Sequence, residues 1–409
     1  MTRRLLAVLF SLVALGWSAE DRPRIRAVTA FIEVNKDNYA AKIQEAQQFL
    51  AAAKTALNRA GFDGAGGRIT TQPFPNYTKG MKRDEALALI RGMREAAAKG
   101  HSAFNIGPAM LNDEDDSAPV TLLADALSQV GVTASLVIAD EKGIHWKAVQ
   151  QAAHLIKDVS ERSAHGDANF NFAAIAMMKP YGPYYPGSYH LGHGRAFAIA
   201  MEGANVVGRI FSQYHDPVQA ELHLSEAFAT YTKEAEAVAI KVAAETGWTY
   251  EGIDATPAPS NQNSIGGAIE SFVGGPFGSS GTMTASGIIT RAVQSTQVKH
   301  TGYSGLMIPV MEDQVLARRW AESTFSIDSI LAYSAVCAGG VDTVPLPGDV
   351  TEEQITRILG DVAWLARKWN KPLAARLLPA PGKRVGQRTE FTGAMLTNTT
   401  VQPLAGTKR

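Results

Sequence analysis

The chain has one cysteine, Cys337, in 409 residues, so no intrachain disulfide can form and stability must come from core burial. It has no excess of either charge, with 39 basic and 39 acidic side chains. That balance removes the electrostatic case for nucleic acid or an anionic membrane surface as partner. Long apolar runs are also missing. The only candidate, Leu5 to Leu15, is about eleven residues and too short to span a bilayer. No phosphate-loop or dinucleotide fingerprint occurs. The glycine-rich run Gly274 to Gly281 lacks the lysine and the strand–turn–helix spacing, and reads as a capping loop or lid before a helix. No short-period repeat or low-complexity tract is present.

Other features carry more information. Arg3-Arg4 precedes the apolar run, and Gly16 and Ser18 are small residues suited to a cut after Ser18, with Glu20 and Asp21 following. Residues 1–18 therefore read as a cleaved signal peptide, making the mature chain periplasmic or secreted with no membrane span left after removal; a plain N-terminal helix is the alternative. No cysteine follows the run, which argues against a lipid anchor.

From there the pattern alternates short apolar strands with amphipathic helices, the mark of an α/β fold. Strands are expected at 25–34, 68–71, 102–106, 133–139, 170–178, 196–201, 250–254, 303–309, 341–346 and 373–378. Helices are expected at 39–60, 82–99, 120–130, 146–162, 223–246, 282–294, 313–323, 326–337 and 352–370. About ten strands with no Gly-rich or charged spacer between the halves predict one domain over 24–409, either a barrel or a large open sheet. Between the fifth and sixth strands runs a long loop, Lys179 to Arg195, rich in Pro, Gly and Tyr.

Five blocks then carry a resemblance. They are Tyr189-His190-Leu191-Gly192, Ile253 to Pro259, Gly305 to Asp313, Cys337 to Asp349, and Ala374 to Pro379 followed by Pro381-Gly382-Lys383. In this order they resemble the family known as domain of unknown function 711, or uncharacterised protein family 0210, from about Ile25 to the end. The resemblance implies a ten-stranded α/β barrel similar to those of pyruvate formate-lyase and ribonucleotide reductase. It supplies no reaction. Radical chemistry, which such a barrel brings to mind, needs several cysteines and a storage glycine. Cys337 stands alone, and Gly386 lacks the expected flanking residues. The aromatic, proline-rich loop at Tyr184-Tyr185-Pro186 and the Thr-Pro-Ala-Pro-Ser after Ala255 set this chain apart from cytosolic members.

Candidate chemistry falls at the ends of strands, where α/β folds build their sites. His190 sits in a glycine-rich loop and is a candidate acid–base group; with His193 and a distant carboxylate it could also hold a metal. Asp254 ends an apolar strand and is the second acid–base candidate, with loop capping as its bland reading. Cys337 is a possible nucleophile, although its place late in a helix raises a thiol pKa and a buried inert thiol is the favoured reading. Asp342 and Arg376 lie in late, otherwise apolar strands, where charges are costly unless paired or facing a cavity. A mutual salt bridge is one reading. Catalysis by Asp342 and clamping of a carboxylate or phosphate by Arg376 is the other. Ser304, Glu312 and Asp313 complete the substrate-binding candidates, with Asp313 also suited to cap a helix. Asp349 is expected to cap the helix that follows, in a box with Glu352.

The expected function is thus an exported α/β-barrel enzyme acting on a small anionic substrate by acid–base chemistry. The alternatives are a binding protein that captures a small solute and a purely structural protein. No cofactor motif is present, and oligomeric state leaves no mark.

Overall fold

The computed structural model describes residues 22–192, 194–260 and 262–404. The proposed signal peptide and His193 lie outside them. Nine strands form one sheet: β1 (Arg24–Ile32), β2 (Gly66–Thr71), β3 (Ala103–Pro108), β4 (Thr133–Ala139), β5 (Phe172–Ala176), β6 (Ala196–Glu202), β7 (Thr249–Asp254), β8 (Gly340–Pro347) and β9 (Leu373–Ala380). Their order is β7-β6-β1-β2-β3-β4-β5-β9-β8. β1 to β5 are mutually parallel, as are β6 with β7 and β8 with β9, and the two groups meet antiparallel at β1–β6 and β5–β9. The protein is a mixed α/β fold one strand short of the ten expected.

The missing strand is the segment predicted at 303–309. Its last residue, Pro309, makes a single parallel bridge to Asp342 at one edge of the sheet, and His300, just before the segment, makes another to Ile253 at the opposite edge. No ladder forms along it, because side chains satisfy its backbone donors instead. Asp254 takes the N–H groups of Tyr303 and Ser304, and Thr290 takes that of Leu306.

Between the strands the helices follow the apolar periodicity closely. Trp146–Arg162 and Thr282–Gln294 form as expected. The long helix Pro217–Thr246 starts earlier than its apolar stripe suggests, because Asp216 caps it and Pro217 occupies the first turn. Helices Ala204–Gln213 and Ile265–Val273 were not foreseen. The expected Asp349 cap belongs to Thr351, which forms a capping box with Gln354 and starts the helix at Glu352. Gly274 ends its helix in the left-handed region, an ordinary terminator within the glycine-rich run.

The two faces of the sheet differ in side-chain size. The helix side packs Val28, Ile69, Phe104, Ile106, Leu136 and many others into one extended core. The opposite side carries Thr70, Asn105, Ser135, Ala173, Ala198 and Ala374, all fully buried. Such small residues leave room for another layer, which is the loop between β5 and β6. Its tip is tied to β2 and β3: Tyr185 OH donates to the Ile69 carbonyl (2.7 Å), and Asn105 Nδ2 donates to that of Pro186 (2.7 Å). Tyr184 and Tyr189 join Val137, Ile175, Tyr303 and Met307 in an inner apolar cluster.

Candidate functional site

Because the two strand groups run in opposite directions, the starts of β3 and β4 lie at the same end as the finish of β7. At that end the loop tip stops short and leaves a chamber of about 220 Å³. Its charged lining is Arg26, Arg68, Asp254, Glu312, Asp342 and Arg376, with Tyr184, Tyr185, Phe170 and Met307 among its walls.

Arg376 and Asp342 stand on the paired strands β9 and β8 and form a bidentate bridge, Nε to Oδ1 at 2.7 Å and Nη2 to Oδ2 at 3.1 Å. Arg376 Nη2 also donates to Glu312, which in turn accepts from Arg26 Nη2 at 3.0 Å. Arg26 donates further to the Pro259 carbonyl (3.1 Å). The result is an alternating chain, Asp342–Arg376–Glu312–Arg26. The Arg376 guanidinium also lies 4.6 Å above the Phe170 ring. Burial opposes its charge, yet Asp342 and Glu312 outweigh that and hold it protonated well above the ordinary range. Burial pushes the Asp342 carboxyl upward; Arg376 pulls it back, and Glu312 adds to the push. Tyr184 OH donates weakly to Asp342 at 3.5 Å, and burial followed by that carboxylate drives its own pKa up.

Arg68 differs from the other two arginines. It donates to the Pro183 carbonyl (2.8 Å) and lies 4.8 Å over the Tyr185 ring, but has no carboxylate partner among the described residues. Burial, then repulsion from Arg26, lowers its pKa to about 10. A cation under that stress is relieved by any anion entering the chamber.

The predicted candidates divide between this chamber and the rest of the fold. Asp254, Glu312, Asp342 and Arg376 line it together. Arg376 is not a free anion clamp, because Asp342 and Glu312 already fill its fork. Asp254 is a loop organiser, accepting from the Thr256 hydroxyl (2.6 Å) and from the N–H groups of Thr256, Tyr303 and Ser304.

His190 does not line the chamber. Its Nε2 lies 2.8 Å from the Ile32 carbonyl, Gly192 N–H approaches its Nδ1, and its ring stacks on Tyr181. Burial lowers its pKa, so it is a neutral structural histidine there and not a partner of Asp254. Cys337 is fully buried in the helix-side core, and burial raises its thiol pKa. That is the setting of an inert thiol, not a nucleophile. Asp313 caps two helices, taking Val315 and Leu316 N–H on one side and Ile265 and Gly266 N–H on the other. Ser304 faces a different cavity. Among the described residues no cluster of three metal-ligating side chains occurs.

Sequence reasoning missed Arg26 and Arg68. The rule that flagged Asp342 and Arg376 applies equally to Arg26 between Ile25 and Ala27 and to Arg68 before Ile69. An arginine within an apolar strand needs a partner or a cavity.

Comparison with known proteins agrees with the resemblance. The family described as Uncharacterised ACR (DUF711) matches residues 18–395. A UPF0210 protein of Methanopyrus kandleri is 30% identical over 76% of this chain and 73% of its own length. One from Desulforudis audaxviator is 29% identical over 80% of this chain and 76% of its own. Among solved structures, the anaerobic ribonucleotide reductase of Thermotoga maritima aligns over 87% of this chain and 75% of that one, at 10% identity and a TM-score of 0.38. That likeness is too slight to carry an argument about the site.

Proposed function

This chain belongs to the uncharacterised family DUF711, or UPF0210, and from that premise we propose that its inner chamber binds a small organic anion and performs acid–base chemistry on it. The observation that carries the reading is Arg68. It is the one arginine of the lining without a carboxylate, and its pKa is lowered to about 10 by burial and by Arg26. A carboxylate or phosphate on the ligand would supply the missing counter-charge, and the planar fork suits either. The chamber volume of about 220 Å³ favours a metabolite smaller than the drug-sized ligands that fill roughly 300 Å³ or more. Met201, Met307 and Pro309 give the ligand's hydrocarbon body an apolar wall.

Asp342 is the proton-handling group in this reading. Burial lifts its carboxyl, and Glu312 shares Arg376 with it, so a proton gained from substrate can be held there. Tyr184 would carry a hydrogen bond to the reacting atom.

Capture without turnover is the second reading. One observation favours it: among the described residues no serine, cysteine or histidine lines the chamber, and each carboxylate there is already hydrogen-bonded. Titration calorimetry with small carboxylates and phosphates tests both readings. Binding by wild type that Arg68→Gln abolishes supports the anion site. Proton release or product formation then marks an enzyme, and its absence marks capture. Equal binding by Arg68→Gln, or no heat from any anion, refutes the proposal.

Export is also part of the proposal. The Arg3-Arg4 pair and the apolar run Leu5–Leu15 support it. Mass spectrometry of the native N-terminus should find Ala19; an intact leader on cytoplasmic protein would overturn it.

A further inference from the structure

β4 runs from Thr133 at the chamber to Ala139, and a second cavity begins at Asp140 just beyond its end. This cavity measures about 810 Å³, and its apolar wall includes Met177, Met178, Tyr181 and Leu191. His300 and Ser304 both line it. His300 Nε2 lies 2.9 Å from the Thr296 carbonyl oxygen, which can only accept. Nε2 therefore carries the ring proton, and Nδ1 presents a lone pair to Ser304 Oγ at 3.1 Å. This is a hydroxyl, a base and a group that orients the base, in contact in that order.

The backbone around Ser304 is held in a conformation that a serine seldom adopts. Its φ is +43°, in the left-handed region. What holds it there is Asp254, which accepts from Ser304 N–H at 3.0 Å and from Tyr303 N–H at 3.1 Å. The carboxylate approaches so closely that a Cβ at Gly302 would fall 2.2 Å from its Oδ2. The Gly302 N–H meanwhile has no acceptor among the described residues, and Gly302 lines the same cavity. The Ser304 hydroxyl has one proton and three acceptors in reach, the Thr301 and Ile253 carbonyls (3.0 and 3.3 Å) and His300 Nδ1. Donation to His300 is the one that activates the oxygen.

The geometry points to a second site, distinct from the chamber though braced by the same Asp254, in which Ser304 is a nucleophile and His300 its general base, acting on uncharged esters with a short apolar acyl chain. Ser304 Oγ attacks the ester carbonyl carbon while His300 Nδ1 takes the hydroxyl proton. Gly302 N–H is the donor available to the carbonyl oxygen as it becomes negative. The carbon–oxygen bond to the alcohol breaks, and His300 returns its proton to the departing alkoxide. Water then attacks the acyl-serine, again passing a proton through His300, and releases the carboxylic acid with both side chains restored.

Labelling the full chain with an alkyl fluorophosphonate, followed by peptide mapping, tests this directly, with p-nitrophenyl butyrate hydrolysis as the turnover assay. The label should fall on Ser304. Ser304→Gly, which tolerates the positive φ, should take none. His300→Gln, altered at an exposed ring, should label about 100-fold more slowly or worse, with an unchanged melting curve. Should Ser304→Gly fail to fold, the His300→Gln rate decides. A folded wild type that is unlabelled at Ser304, or a His300→Gln variant labelled at the wild-type rate, overturns the assignment.

Discussion

Replacing Arg376 by methionine isolates the chamber's charge network. The guanidinium is 5% exposed and sits between Asp342, 1% exposed, and Glu312, 7% exposed. Methionine keeps much of the volume above Phe170 but leaves Asp342 with no hydrogen-bonded cation and Glu312 with Arg26 alone. Breaking a buried pair from one side costs about 3–5 kcal/mol, because the remaining charge stays desolvated. For 409 residues an unfolding entropy of about 0.9 kcal/mol/K makes a 4 kcal/mol loss a fall of about 4–5 °C in melting temperature. The loss should depend on pH in a defined direction. Asp342 already has a raised pKa, and losing Arg376 raises it further, so the folded variant binds a proton that the unfolded chain releases. Its deficit is therefore greatest above neutral pH and shrinks as pH falls toward that raised value. Adding Asp342→Asn removes the orphaned charge and should restore most of the loss. Urea and thermal unfolding of the four proteins in this cycle, at pH 5.5 and 8, provide the measurement. A single-variant loss below about 1 kcal/mol, or no recovery in the double variant, would refute the network's role.

Two further predictions concern groups outside the chamber. Burial depresses the His190 pKa, so the folded state resists protonation, and stability held above the unfolded value of about 6.5 is lost as pH falls below it. His190→Asn should flatten the melting-temperature profile between pH 7.5 and 5.5; an unchanged slope would assign that slope to other groups. Cys337, fully buried with a raised thiol pKa, should resist iodoacetamide in the native protein and react fully in guanidinium chloride. Rapid native alkylation would return it to the list of reactive groups.

The fold was legible where periodicity and strong punctuation agree. Thr133–Ala139 and Trp146–Arg162 have clean alternation or a clean apolar stripe, and their ends coincide with prediction. Legibility failed where tertiary contacts supply what local pattern cannot. The segment at 303–309 has strand composition, yet Asp254 and Thr290 take its donors and Ser304 is turned into the left-handed region. The helix Ile265–Val273 carries two glycines, Gly266 and Gly267, in its first turn and was invisible to propensity, being held by Ser264 and Asp313.

The site was half legible for a related reason. Charges within apolar strands drew attention to Asp342 and Arg376, which the fold joins in a buried bridge because burying either without a partner is too costly. Which arginine would be left without a carboxylate depends on the strand order, and no single strand contains that information. His190 illustrates the converse. A glycine-rich loop with a histidine looks catalytic, but this ring is spent on the Ile32 carbonyl to fasten the loop against β1.

The measurement that bears most directly on the account is a crystal structure of the chain with the tightest-binding small carboxylate from the calorimetric series. The account predicts carboxylate oxygens within about 3 Å of the Arg68 guanidinium, with the Asp342–Arg376 bridge intact beside them. A ligand bound elsewhere, or one that displaces Asp342 from Arg376 and leaves Arg68 untouched, would contradict it.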